Sequence, residues 1–175
     1  KVYKPKMSVL QKLNYIDEKG LLPKGNFAAN INGFELQLTE LYFKGIFENL
    51  DEPLINVMVG AIVFEARRNM VAAKFGGSAE FKKLKREAAG IFDKIRSTEK
   101  LCGCTEITRQ LDFKASSAIY AFSKGESFTD LKKFVSLDDG DMVRIFRVTL
   151  QLLKQWKAIV MEDQYLAAMI ENCIK

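Results

Sequence analysis

Residues 138–160 have the sequence DDGDMVRIFRVTLQLLKQWKAIV, and this stretch carries the clearest structural pattern of the chain. Its three aspartates suit the positively polarised start of a helix, and no helix-breaking residue follows Gly140. We expect the longest helix of the chain here. Apolar residues recur along it at helical spacing and form one stripe, which consists of Met142, Phe146, Leu150 and Leu153. Val143, Ile145 and Leu152 widen this stripe.

The same helical spacing continues on both sides of this stretch. The three prolines stand at positions 5, 23 and 53, so nothing after Leu54 forbids long helices. We predict about eight helices, with caps at Asp51 and Ser78, a turn at Cys102–Cys104 and one small hairpin within residues 15–22. The predicted helices cover residues 6–13, 23–31, 34–47, 54–64, 78–95, 115–123, 128–135, 138–160 and 163–175.

These elements predict an all-α fold, a multi-helix bundle. Helix, hairpin and helix at the start are typical of the tail of a winged-helix unit. We therefore divide the chain into residues 1–33, the end of a winged-helix-like segment, and residues 34–175, the helical bundle.

Composition narrows the functional classes. The chain has 175 residues, 48% hydrophobic and 28% charged, so it has enough apolar residues for an ordinary core. Its net charge of +5 favours an anionic partner but equally suits simple solubility. Three cysteines make no disulfide framework, and no apolar run approaches the roughly 20 residues of a membrane span. We expect an intracellular protein without a membrane partner, in the cytoplasm rather than the nucleus.

Several kinds of catalytic site lack their residues. The chain has no histidine, which is the commonest general base and metal ligand, and no phosphate-cradling Gly-x-x-x-x-Gly-Lys sequence. A zinc site would need all of Cys102, Cys104 and Cys173 at poor spacing. The carboxylate pairs at 17–18 and 138–139 are explained by turn and helix capping. We predict no catalytic residue, no metal site and no cofactor in this chain.

One polar stripe gives the sequence a functional direction. It lies on the long helix at i, i+3, i+7 and i+10, so its four side chains project along about three turns. Such a line can follow a phosphate chain or touch successive bases, although a solvated helix face has the same pattern. Residues 82–86 (KKLKR) leave the same two alternatives open. The candidate nucleic-acid-binding residues are Arg144, Arg147, Gln151 and Lys154.

Short blocks of sequence resemble one family. Residues 9–16 (VLQKLNYI) are similar to "VLKxLGYI", and residues 35–47 (ELQLTELYFKGIF) to "ELLLTEMMFNGLF". Residues 120–128 (YAFSKGESF) are similar to "YxWAxGxSF", and residues 139–147 (DGDMVRIFR) to "EGSIIRxxRR". Further blocks lie at 24–28, 63–65 and 152–155. In this order they resemble the DSHCT domain, the C-terminal helical domain of superkiller-type DExH-box RNA helicases.

This resemblance implies a role and a set of partners. In such helicases the bundle supports two RecA-like motor domains and lines the path of a single RNA strand, and the helix beginning at "EGS" acts as a ratchet. The implied partners are single-stranded RNA, the motor domains of the same polypeptide and exosome-type RNA decay machinery. ATP and magnesium would bind the parent motor domains. The implied parent is an ATP-dependent RNA helicase, a hydrolase, whereas this chain alone is expected to be no enzyme.

Three positions depart from the family pattern. Val148 and Gln151 stand where the family has an Arg and a Glu that are expected to contact RNA. Phe122 replaces a Trp, which we interpret as a packing change.

The alternative function is a protein-interaction bundle whose basic face docks on an acidic partner surface without touching RNA.

Overall fold

The computed structural model describes residues 3–175, so the first two residues of the predicted 1–33 segment lie outside the description. The described chain is mostly helical with one antiparallel hairpin, which confirms the predicted all-α class. Its elements are α1 (Tyr3–Lys12), β1 (Ile16–Asp17), β2 (Gly20–Leu21), α2 (Pro23–Ala28), α3 (Glu35–Phe43), α4 (Glu52–Val63), α5 (Ala79–Leu101), α6 (Ser116–Ser123), a 3₁₀ helix (Phe128–Lys133), α7 (Asp139–Ile159) and α8 (Gln164–Ile174).

Several predicted boundaries were wrong. The helix α3 ends at Phe43 and not at Phe47, because Gly45 adopts a positive φ of 72°. The helix α2 ends three residues early, at Ala28. The helix α5 runs on to Leu101 and, with 23 residues against 21, is longer than α7, which had been expected to be the longest. Residues 128–133 form a 3₁₀ helix where an α-helix was predicted.

Three predicted helix starts are confirmed by their caps. The side chains of Asp51 and Ser78 accept hydrogen bonds from the backbone N–H groups of Leu54 and Phe81, at 3.0 and 3.1 Å. Asp138 accepts in the same way from Asp141 N–H at 2.7 Å. Each bond satisfies an N–H that has no partner inside its helix.

The chain forms two compact units. The first takes in the residues up to Ile46 together with Ser78–Leu111. Within it α1 and α3 both pack against α5, and the hairpin follows α1. The buried face of α5 recurs at helical spacing, through Phe81, Ala88, Phe92 and Ile95.

An ion pair is buried inside this first unit. Lys24 Nζ lies 2.7 Å from Glu40 Oε1, and the Glu40 side chain is almost fully buried. Lys24 also donates to the Leu13 carbonyl at 3.3 Å. Burial, together with the nearby Glu40 carboxylate, raises the pKa of the Tyr15 hydroxyl. A Cβ at Gly25 would lie 2.1 Å from the Tyr15 carbonyl oxygen, so only glycine fits beside the pair.

The second unit comprises Phe47–Gly77 and Asp112–Lys175. Its central element is α4, which packs against α6, α7 and α8. Because α4 is surrounded, eight of its residues are buried, as predicted for a core helix. Asn56, which interrupts this apolar run, donates to Ser123 Oγ at 3.0 Å. In the described residues no helix is long and apolar enough to cross a membrane.

Candidate nucleic-acid interface

The four candidate residues all lie exposed on α7. Arg144, Arg147, Gln151 and Lys154 are solvent-accessible along one side of the helix. The opposite side is buried and fixes the rotation of the helix about its axis. The predicted solvent-facing position of this polar stripe is therefore confirmed. Whether it binds nucleic acid stays a prediction.

The predicted apolar stripe of α7 was partly wrong. The buried line follows i, i+3, i+7 and i+10 from Met142, whereas Phe146 and Leu150 are only half-buried and Val143 is 52% exposed. Two lines of residues start at Met142 and run along the helix at similar angles. The buried line contains the polar Thr149, so the sequence indicated that it was the less apolar of the two. The buried residues of α7 are Met142, Ile145, Thr149, Leu152, Leu153 and Trp156.

Acidic side chains at the start of α7 are already engaged. Arg67 lies 2.8 Å from Asp141 and 3.8 Å from Asp138, and Lys132 lies 2.9 Å from Asp139. These contacts are exposed, so each adds little stability, but they neutralise the acidic end locally. The acidic cluster therefore does not compensate the cations further along the helix.

The two arginines of the stripe lack such partners. Across residues 3–175, neither Arg144 nor Arg147 takes part in a salt bridge. Lys157, on another side of α7, is by contrast paired with Glu171, and this pairing lowers the pKa of the Glu171 carboxyl. Lys154 makes a smaller contribution to the same lowering. The two arginines are therefore free to bind an external anion.

An open groove runs beside this stripe. It lies in the second unit, between α6, the 3₁₀ helix and α7. Arg147, Gln151 and Lys154 line it, whereas Arg144 does not. Its lining contains two cations and no carboxylate. The full lining is Phe122, Phe128, Val143, Phe146, Arg147, Leu150, Gln151, Lys154, Gln155 and Ala158.

Aromatic rings form one wall of the groove. Phe122 stacks on Phe146 with ring centroids 4.7 Å apart and planes inclined by 25°. Phe128 meets Phe146 edge-on at 6.3 Å. Phe122 remains 42% exposed. The sequence did not predict this wall. Phe122 and Phe146 each lie one helical turn after a buried residue, Ala118 and Met142 respectively, so helical spacing assigned both rings to buried faces.

The second basic cluster, on α5, differs from the first. Lys83 lies 3.9 Å from Glu87, one helical turn away. Lys85 is half-buried, and this burial lowers the pKa of its ammonium group. Lys82 and Arg86 are exposed, but neither lines the groove of the second unit. This cluster is consistent with the solvated-face interpretation.

One member of each carboxylate pair, at 17–18 and at 138–139, accepts capping hydrogen bonds from the backbone. Asp17 Oδ1 accepts from the backbone N–H groups of Lys19 and Gly20, at 2.8 and 3.1 Å, and so closes the hairpin turn. All three cysteines are free thiols, and Cys173 is buried. Within residues 3–175 no three Cys, Asp or Glu side chains are grouped as metal ligands.

Comparison with known proteins places this geometry in context. The sequence model of the DSHCT (NUC185) domain matches residues 18–175. The chain is 26% identical over 160 residues to the ATP-dependent RNA helicase mtr4 of Schizosaccharomyces pombe. It is 24% identical over 165 residues to the DExH-box ATP-dependent RNA helicase DExH9 of Arabidopsis thaliana. It is 22% identical over 160 residues to the exosome RNA helicase MTR4 of Homo sapiens.

These relatives are much longer than the chain. The alignments cover 84% of the chain for the yeast and human proteins and 87% for the plant protein. They cover only 14%, 14% and 16% of the relatives themselves. The chain thus corresponds to about one seventh of each relative.

Proposed function

The chain belongs to the DSHCT domain family, and from this membership we propose that it is the C-terminal accessory domain of an ATP-dependent RNA helicase. In this role it supports the motor domains, and α7 lies along the path of the single RNA strand. The relatives named above are RNA helicases, which supports the assignment of the parent protein.

One observation carries the RNA-path proposal. Arg147 and Lys154 line an exposed groove that contains no carboxylate, and Arg144 extends the same line of α7. A polyanion gains most where cations are not already paired, because binding then breaks no internal salt bridge. The three cations of the stripe, Arg144, Arg147 and Lys154, are therefore assigned to the phosphates of the strand.

The departures from the family pattern refine this assignment. Val148 is half-buried and Gln151 is exposed at the groove. A Gln amide both donates and accepts hydrogen bonds, so Gln151 can meet a ribose hydroxyl or a base edge without a charge. RNA contact by this chain then depends more on the phosphates of the strand than on charged side chains that bind base edges.

The catalytic parts belong elsewhere in the parent protein. ATP and magnesium would bind the RecA-like motor domains, and this chain supplies no ligand to either in our proposal. We also propose that residues 1–33 form the end of a winged-helix segment. For the parent protein we propose an intracellular compartment. Because one relative is named an exosome RNA helicase, exosome-type RNA decay machinery is the proposed partner complex.

A charge-removal experiment tests the RNA-path proposal. In the full-length protein, Arg144→Ala with Arg147→Ala should lower RNA-stimulated ATP hydrolysis and unwinding about tenfold or more, since two phosphate contacts are lost. ATP hydrolysis without RNA should stay the same, because neither residue lies in a motor domain. Steady-state ATPase assays with and without RNA measure both quantities.

The matched control removes the same charge from a different surface. Lys82→Ala with Arg86→Ala takes two exposed cations from α5 and should leave RNA stimulation near the wild-type value. Unchanged RNA stimulation in the α7 variant, or equal losses in both variants, would overturn the assignment of the stripe.

The groove also favours a second candidate function. Much of its lining is apolar, and Phe122 and Val143 are exposed, which is typical of a protein-docking surface. In that case α7 would dock on an acidic partner and not on RNA. A salt titration of RNA binding separates the two, because several phosphate contacts give a steep loss of affinity with salt. Absence of RNA binding at low salt would favour docking.

A further inference from the structure

The stacked pair Phe122–Phe146 is not explained by packing alone. Phe146 covers one face of the Phe122 ring at 4.7 Å, yet 42% of Phe122 is exposed. The exposed area therefore belongs to its other face and its edge. A large aromatic ring with one supported and one open face is suited to receive another flat ring.

The surroundings indicate the chemistry of the occupant. The groove carries Arg147 and Lys154 at positions separated by two turns of α7, about 10 Å along the helix. Its lining has no carboxylate, so the field favours a ligand with several negative charges. Flat apolar rings joined by negative charges at regular intervals describe a single nucleic-acid strand.

We propose that the open face of Phe122, supported by Phe146, is a stacking platform for an RNA base, while Arg147 and Lys154 hold the adjoining phosphates. This inference rests on the proposed function and adds the way in which bases are bound. Every base has a flat π-face, so the platform binds RNA without sequence preference. Phe128, edge-on to Phe146, closes the apolar side of the platform.

The test compares two ligands that differ only in their bases. The full-length protein is titrated with a short fluorescent oligoadenylate and with a matched abasic ribose-phosphate strand. Phe122→Leu should weaken oligoadenylate binding about fivefold or more and leave binding of the abasic strand unchanged. Phe122→Trp should retain or raise the affinity for oligoadenylate, because it enlarges the stacking face.

The control removes an exposed aromatic ring away from the groove. Tyr165 on α8 is 74% exposed and does not line the groove, so Tyr165→Leu should change neither affinity. Thermal unfolding of each variant is measured in parallel. Lower oligoadenylate affinity in a folded Phe122→Trp variant, or equal losses for both strands in Phe122→Leu, would overturn the platform.

A second pair of variants separates this inference from the proposed function. Arg147→Ala with Lys154→Ala should weaken both strands, because both carry phosphates. If that variant weakens both while Phe122→Leu weakens neither, the platform is wrong and the RNA-path function stands. If neither variant changes RNA binding, both are wrong. If an acidic apolar peptide binds the wild-type protein but not the Phe122→Leu variant, while oligoadenylate binds both equally, the groove is a protein-docking surface and the platform is wrong.

Discussion

At the scale of single residues, Glu40 carries the most deeply buried carboxyl side chain of the described residues. It is 2% exposed, and Lys24 Nζ lies 2.7 Å away. A buried carboxylate without a partner costs several kcal/mol, so the pair stabilises the first unit mainly by preventing that loss. Both residues lie in blocks that resemble the family, at 24–28 and 35–47. Part of the resemblance therefore reflects packing and not function.

Removal of the Lys24 charge tests this interpretation. Lys24→Met should lower the free energy of unfolding by about 3 kcal/mol, because it leaves Glu40 buried and unpaired. Urea unfolding followed by circular dichroism measures this loss. The control Lys19→Met removes an exposed lysine from the nearby turn and should change the value by less than about 0.5 kcal/mol.

A double variant makes the test specific to charge burial. Adding Glu40→Leu to Lys24→Met should restore most of the lost free energy, since no buried charge then remains. A double variant that is less stable than Lys24→Met alone would contradict the account.

Some residues could be predicted from sequence and others could not. The caps Asp51, Ser78 and Asp138 were predictable, because capping depends on neighbours within three residues. The exposure of Phe122 was not, since its spacing from Ala118 matches a buried face. Its exposure depends on the groove that α6 forms with α7, and no pattern within α6 indicates that groove.

At the scale of elements, α7 combines a correct and an incorrect prediction. The exposed position of its polar stripe was predicted correctly, because a line of charged and amide side chains with no apolar residue in it must lie outside a small core. Its apolar stripe was assigned to the wrong one of two neighbouring lines. Packing of α7 against α4 and α8 selects the line through Thr149 and Trp156, and this leaves Phe146 to the groove.

The end of α5 shows why helix lengths are harder to predict than helix starts. Its last turn contains Glu99, whose carboxylate accepts from Thr108 N–H and Thr108 Oγ1, both at 2.7 Å. Arg96 donates to the Thr108 carbonyl at 2.8 Å. These bonds join the last turn to a segment beyond Gly103. A pattern confined to the helix itself gives no sign of them.

The N-cap of α7 has a measurable share in stability. Asp138→Ala should cost about 1 kcal/mol, because it leaves the Asp141 N–H without its acceptor and removes a negative charge from the positive end of the helix. Urea unfolding measures the change. Glu162→Ala, an exposed acid that caps no helix, is the matched control and should be nearly neutral. Equal effects of the two substitutions would contradict a capping role.

At the scale of the whole molecule, the grouping of helices could not be predicted from sequence. Each unit is assembled from two separate stretches of the chain. Helical periodicity identifies elements and their apolar faces, but it does not say which distant elements pair. The all-α class was predictable because the sequence has no proline after the first third and helical spacing recurs throughout.

The groove of the second unit brings together α6, the 3₁₀ helix and α7, which are consecutive in the chain. Its two components, the cations and the aromatic wall, differ in how clearly the sequence indicates them. The cations follow a visible stripe, whereas the aromatic wall arises from three phenylalanines on three elements. The sequence thus indicated the line of cations and did not indicate the aromatic wall.

The central claim is that α7 and the Phe122 wall lie against a single RNA strand. Photo-cross-linking of the full-length protein to 4-thiouridine RNA, followed by mass spectrometry of the linked peptides, tests it most directly. The account predicts cross-links within α6 and α7, centred on the groove residues, that disappear in the Arg144→Ala, Arg147→Ala variant. Efficient cross-linking elsewhere in the protein, with α6 and α7 unlabelled, would contradict it.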